Sequence, residues 1–350
     1  MNERNKSLWK QAIKWPLYSV AILPVFISGA YTLNSFKNVK IYNLIAFTIA
    51  AILILIWENL TNDLFDSETG IDEFKFHSIV NLVRSKTIVS ITAYTSLLIG
   101  LLVIAIISIS TSINVMLLVG ACCFLGYLYQ GPPFRLGYQG LGEPLCWLAF
   151  GPFAYAAALI ALNPSDIYMI SIPWKESLLL GSGSSLATTL VLFCSHFHQI
   201  KEDKEHGKNS PLVRLGAKKG AKIIPWIVFI IYVFQLFLII NGFIPILCIL
   251  FLISFPQSLK LITLLKYSYN KPKAIKNCKF IAIKFQTLNG IGLIAGFLAV
   301  CMGPGLAVFV LLLMIVQRKR IALIGFQIVT YGILAFAMFG AAAELGIISV

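Results

Sequence analysis

Asn59-Leu60-Thr61-Asn62-Asp63-Leu64-Phe65-Asp66-Ser67-Glu68-Thr69-Gly70-Ile71-Asp72-Glu73 is the stretch on which the reading of this chain turns. It follows a mostly apolar run from about 41 to 58 and precedes a basic segment with Lys75, His77, Arg84 and Lys86. Five of the chain's fourteen carboxylates fall within it, which sets it apart from an otherwise sparsely charged sequence. Asn62 and Asp66 are four apart and Asp63 and Asp66 three apart, so on a helix their oxygens share one face. Hard oxygen ligands at the water-facing end of a membrane helix suit Mg²⁺, which takes carboxylates together with phosphate and water oxygens. A solvated acidic loop between two spans is the plainer alternative for the same residues.

The surroundings support a membrane setting. Of the 350 residues, 58% are hydrophobic and only 12% charged, about half the charged content of an ordinary soluble domain. Mean hydropathy is +0.85. Repeated apolar runs of about twenty residues read as transmembrane helices, and they lack the alternation of a lipid-facing barrel strand. The fold class is therefore all-α: a polytopic helical bundle of nine core spans. They begin near residues 16, 41, 87, 112, 145, 178, 223, 243 and 285. The expected division is a cytoplasmic segment over 1–15, a membrane domain over 16–302 and a hydrophobic tail over 303–350 with one or two further helices. The first apolar run lacks a convincing cleavage site and reads as a span, not a removable signal. The seven cysteines include no C-x-x-C pair and lie almost entirely inside apolar runs, as small buried hydrophobes.

The net charge of +14 sits in a few loops, which points to topology and anionic small partners and away from nucleic acid. Segments 198–222 and 260–284 each carry seven Lys or Arg. With the N-terminus in the cytoplasm, these segments and 59–86 and 130–144 all fall on the cytoplasmic side, and the lysine-poor loops fall opposite. The second polar stretch mixes Glu202, Asp203 and Glu205 with Lys201, Lys204, Lys208 and Arg214. That mixture suits a metal-bound diphosphate, which needs both Mg²⁺ and direct cationic donors. A salt-bridged helix end fits it as well. His196 and His198, two apart, lack zinc-pair spacing and fit a hydrogen-bonded role at a helix end. Arg135 lies among glycines and prolines that forbid a continuous helix, where it can approach an anion closely.

Asn62-Asp63-x-x-Asp66 with Gly70-x-Asp72, Asp203-x-x-x-Gly207-Lys208 and Leu212-x-Arg214-x-Gly216 together resemble the UbiA superfamily of intramembrane aromatic prenyltransferases. The loop from Tyr129 to Glu143 resembles the branch acting on 1,4-dihydroxy-2-naphthoate in quinone synthesis. The run from Ser195 to Asp203 resembles that branch's cyanobacterial and plastid form, which serves phylloquinone synthesis. The resemblance covers about residues 15 to 300. It implies nine helices around a cavity that opens to lipid, with two acidic motifs holding Mg²⁺ and a prenyl diphosphate.

It further implies transfer of a prenyl group, phytyl foremost, to a dihydroxynaphthoate-type acceptor, with release of CO₂ and diphosphate. Asn62, Asp63, Asp66, Asp72 and Asp203 are the expected metal ligands. Lys75, Arg135, Lys201, Lys208 and Arg214 are the expected diphosphate contacts. The chain departs from the family pattern at Gly70, where an Asp is usual, and at Gln199, where the second motif usually carries its earlier Asp. Another aromatic acceptor such as homogentisate, or a longer donor chain, stays open. The competing class is a membrane transporter, which would be expected to place charge near the bilayer midplane and to show internal repeats.

Overall fold

The computed structural model describes residues 8–9, 12–70, 78–165 and 171–302. Asp72, Lys75 and the tail over 303–350 lie outside these. Every regular element among the described residues is helical. Among the described residues nine helices are long and apolar enough to cross a membrane: α1 (Trp15–Phe36), α2 (Ile41–Thr69), α3 (Lys86–Ile109), α4 (Ile113–Gln130), α5 (Gly142–Leu162), α6 (Trp174–His198), α7 (Ala217–Ile240), α8 (Ile246–Ser268) and α9 (Cys278–Cys301). Short helices Ile79–Val83, Ile200–Glu205, Pro211–Leu215 and Pro272–Ile275 lie between the spans.

α1, α6 and α9 are the most enclosed spans and α3 is the most open. The open side of α3 is apolar, with Ile91, Leu98, Leu102, Ile106 and Ile109 exposed. A row of exposed large aliphatics along a helix of this length is what hydrocarbon contact requires. Several polar groups inside the bundle pair with one another. Gln235 and Asn289 exchange two amide hydrogen bonds of 2.7 and 2.9 Å, and Ser19, Thr188, Gln286 and Thr287 form one connected network. Such pairing is needed where no water can substitute. Gly292 and Gly296, one turn apart on α9, let that helix close onto the backbone of Leu250 and Cys248 in α8. A Cβ at either position would run into main-chain atoms, so only glycine permits this approach.

Several helices run beyond the expected spans. α2 continues past Glu58 to Thr69, so the acidic stretch as far as Thr69 forms its final three turns. No Gly or Pro interrupts residues 41–69, Leu64 and Phe65 are buried there, and the helix stops where Gly70 takes a left-handed φ of 79°. α8 runs to Ser268 and α9 starts at Cys278, so much of the lysine-rich 260–284 segment is helical. Leu261 and Leu265, four apart, are fully buried, while the flanking Lys260 and Lys266 are exposed and carry their charges outward on flexible stems. α5 is irregular at Ala149–Phe153, where Gly151 has φ −109° and ψ −110° next to Pro152. The missing amide proton of proline and a π-type turn account for the break. Ala149 and Phe150 at this break face the central cavity.

Candidate active site

The bundle encloses a cavity of about 650 Å³ walled by α1, α2, α4, α5, α6 and α9. One end of its wall is polar. There Asn62 and Asp66 from α2 meet Gln199, Glu202, Asp203 and Lys208 from the segment after α6, together with Lys14, Lys276 and Lys279. The remainder is largely apolar, with Val20, Pro24, Phe47, Ile54, Leu55 and Val119 among the lining residues.

Asp66 is buried, and its Oδ1 accepts a hydrogen bond of 3.1 Å from the Tyr138 hydroxyl. That hydroxyl also lies 2.8 Å from Thr69 Oγ1. Burial, and next the charge of Asp66, push the Tyr138 phenol well above its usual range, so it stays a donor. Asn62 Oδ1 is buried and has no hydrogen-bond partner among the described residues. Asp203, also buried, receives two contacts on Oδ2: the Ser210 hydroxyl at 3.0 Å and His196 Nδ1 at 3.1 Å. His196 Nε2 points to Glu143 at 3.9 Å, which links the start of α5 to the end of α6. The turn after Asp203 is closed by Gly207 at φ 73° and by the Lys208 amide donating to the Asp203 carbonyl at 2.7 Å. Lys208 is thereby buried, with its ammonium 5.2 Å above the Tyr138 ring.

An unpartnered buried carboxamide oxygen beside two aspartates is a set of hard oxygen donors and fits Mg²⁺. Among the described residues no group of three or more His, Cys, Asp or Glu side chains is gathered as a metal cage. Magnesium does not require one, because it keeps waters and shares phosphate oxygens.

Residues 21–284 match the model of the UbiA prenyltransferase family. The chain belongs to that family. It is 38% identical over 297 residues to a 2-carboxy-1,4-naphthoquinone phytyltransferase of Synechocystis sp., covering 83% of this chain and 93% of that one. It is also 38% identical over 298 residues to a chloroplastic 2-carboxy-1,4-naphthoquinone phytyltransferase of Arabidopsis thaliana, covering 84% and 77%. Among solved structures, a UbiA homolog from Archaeoglobus fulgidus bound to DMAPP and Mg²⁺ shares the fold with a TM-score of 0.52 at 12% identity, covering 82% of this chain and 99% of that one. This UbiA family member is an integral multi-pass membrane protein.

Within this UbiA fold the candidates divide. Asn62, Asp66, Asp203 and Lys208 come together on the cavity wall. Asp63 does not line it: Oδ2 accepts from the Ile79 amide at 2.9 Å and Oδ1 lies 3.7 Å from Lys14 Nζ. Since Ile79 opens a short helix, that carboxylate satisfies an otherwise orphaned N–H. Arg135, at φ 42°, pairs with Glu68 at 3.1 Å and stands 5.8 Å above Tyr138. Arg214 donates to the Gln139 carbonyl, tying two inter-span segments together. Lys201 is exposed and lies 3.9 Å from Glu205.

The sequence reading missed Lys14, Lys276 and Lys279 at the polar end, Glu58 deeper in the wall, and the Tyr138 bridge. Tyr138 lay in a loop already singled out, but nothing in its spacing points it toward Asp66. We expect Tyr138→Phe to lower prenyl-transfer kcat/KM by about tenfold to a hundredfold, the scale of one hydrogen bond to a charged group, with expression and helix content unchanged. Steady-state assay in membranes checks this; wild-type kinetics would mean that the hydroxyl does not orient Asp66.

Proposed function

We propose that this UbiA family member transfers a prenyl group, phytyl foremost, from its diphosphate to 1,4-dihydroxy-2-naphthoate or its oxidised form, with loss of CO₂ and diphosphate, in quinone biosynthesis. The observation that carries the reading is the placement of Asn62, Asp66, Asp203 and Lys208 at one polar end of a cavity that is otherwise apolar. The 38% identity to two naphthoquinone phytyltransferases supports the choice of acceptor and donor.

Asn62, Asp66 and Asp203 would hold Mg²⁺, with Asp72 a further candidate from the sequence. When bound, the ion neutralises charge on the diphosphate. The protein's own groups do the rest. Lys208, Lys14, Lys276 and Lys279 present cationic donors where the diphosphate oxygens gain charge as the allylic C–O bond loosens. Tyr138 holds Asp66 in one orientation, and His196 and Ser210 hold Asp203. Arg135 acts indirectly, by fixing Glu68 and covering Tyr138. The apolar wall excludes water that would quench an allylic cation, and rings such as Phe47 and Trp57 offer it π faces. An electron-rich ring carbon then attacks and its carboxylate departs as CO₂. The Lys/Arg bias supports a cytoplasmic mouth.

The test supplies membranes containing the protein with phytyl diphosphate, 1,4-dihydroxy-2-naphthoate and Mg²⁺, and follows product mass. A product that has gained phytyl and lost CO₂ is expected. Chelation with EDTA should stop turnover, Mg²⁺ should restore it, and helix content by circular dichroism should stay constant. Turnover of homogentisate alone, or undiminished activity in EDTA, contradicts the acceptor or the metal assignment respectively.

A further inference from the structure

Glu58 is a carboxyl on the cavity-lining stripe of a spanning helix that no step above uses. It lies one turn before Asn62 on the stripe of α2 that also carries Asp66, and it lines the same cavity. Around it the wall is Trp57, Cys122, Cys123 and Cys146. Its carboxyl leans across Gly126 of α4, where an added methyl would stand 3.7 Å from Glu58 Cδ. The absence of a side chain at Gly126 leaves that space to the cavity. No described side chain hydrogen-bonds or ion-pairs with the Glu58 carboxyl. An ionisable group inside a membrane bundle is costly and is retained where a partner or a task compensates.

We propose that Glu58 is the positioning residue for the aromatic acceptor, accepting a hydrogen bond from its ring hydroxyl. The inference rests on the aromatic prenyl transfer read above. Depth supplies the first argument. The allylic carbon is bonded to the diphosphate, which sits at Asn62 and Asp66, and the attacking ring carbon must come within about 3–3.5 Å of it. A helix rises about 1.5 Å per residue, so Glu58 lies about 6 Å below Asn62, at the depth where the ring must lie.

Charge supplies the second. A carboxylate-bearing acceptor is drawn at its carboxylate to Lys14, Lys208, Lys276 and Lys279. The remote 4-hydroxyl edge therefore turns toward Glu58, and the carbon that loses CO₂ faces the diphosphate. In the step, the prenyl C–O bond breaks with its pair on diphosphate, the ring carbon–prenyl bond forms, and the ring–carboxylate bond breaks with its pair returning to the ring. No proton has to be removed, so Glu58 orients the acceptor without acting as a base.

The experiment is steady-state kinetics on the full-length protein in lipid, with 1,4-dihydroxy-2-naphthoate and with 1-hydroxy-2-naphthoate, which lacks the 4-hydroxyl. Glu58→Leu should raise KM for the dihydroxy acceptor by about tenfold to a hundredfold, the scale for a charge-assisted hydrogen bond, and leave KM for phytyl diphosphate within about twofold. Glu58→Gln, which keeps an acceptor oxygen, should fall between. Wild type should prefer the dihydroxy compound and Glu58→Leu should lose that preference. An unchanged acceptor KM in Glu58→Leu overturns the proposal, and so does an equal rise in both KM values. If wild type ignores both naphthoates and uses homogentisate, the acceptor reading fails, and the same KM split measured on homogentisate decides the role of Glu58.

Discussion

Asp66→Ala is expected to lower prenyl transfer by about three orders of magnitude, the upper scale for removing one preorganised charge-stabilising group. The protein should still insert and remain helical. Asp66 sits within α2, whose backbone bonds do not depend on its side chain, and alanine is the best helix former. Asp66→Asn separates two contributions. It can still accept from Tyr138, so orientation survives, but the charge that suits a divalent cation is gone. Both variants should be nearly inactive in membranes supplied with Mg²⁺. Full activity in either removes Asp66 from the metal assignment.

Asp203→Ala should be as damaging to turnover and should cost stability as well. Its Oδ2 receives both the Ser210 hydroxyl and His196 Nδ1, and both partners are buried. Stranding buried polar groups costs about 1–3 kcal/mol each, so a lower melting temperature is expected beside the lost activity. Asp203→Asn can still accept from Ser210 and should recover much of the stability without recovering turnover. Measuring thermal melting and phytyl transfer on the same preparations tests the split. An active Asp203→Asn enzyme would mean that this residue serves packing alone.

The bundle and its polar end were legible in the sequence because apolar runs of spanning length and clustered carboxylates are local signals. Which carboxylate faces the cavity was not. Asp63 and Asp66 are adjacent members of one motif on a helix whose faces are nearly all apolar, so no period marks the inner side; packing of Ile79 and Lys14 turns Asp63 aside. The lysines of 260–284 likewise look alike in composition. Only the start of α9 brings Lys276 and Lys279 to the wall, and that start depends on tertiary packing. Glu58 carries no distinguishing sequence signal because it ends an apolar run, where a single carboxylate resembles an ordinary interfacial residue.

The polar mouth is stitched from segments far apart in the chain. The Asn209 amide donates to the Tyr138 carbonyl at 2.7 Å, Arg214 to Gln139, and Arg135 to Glu68. An even number of crossings separates each of these segments from the next. Parity during insertion thus governs activity: if any one of α3 to α6 failed to integrate, the segments on either side of it would emerge about 30 Å apart across the bilayer. Such a chain would retain most of its helices and yet assemble no diphosphate pocket, so integration errors would produce inert protein and never a partly competent enzyme.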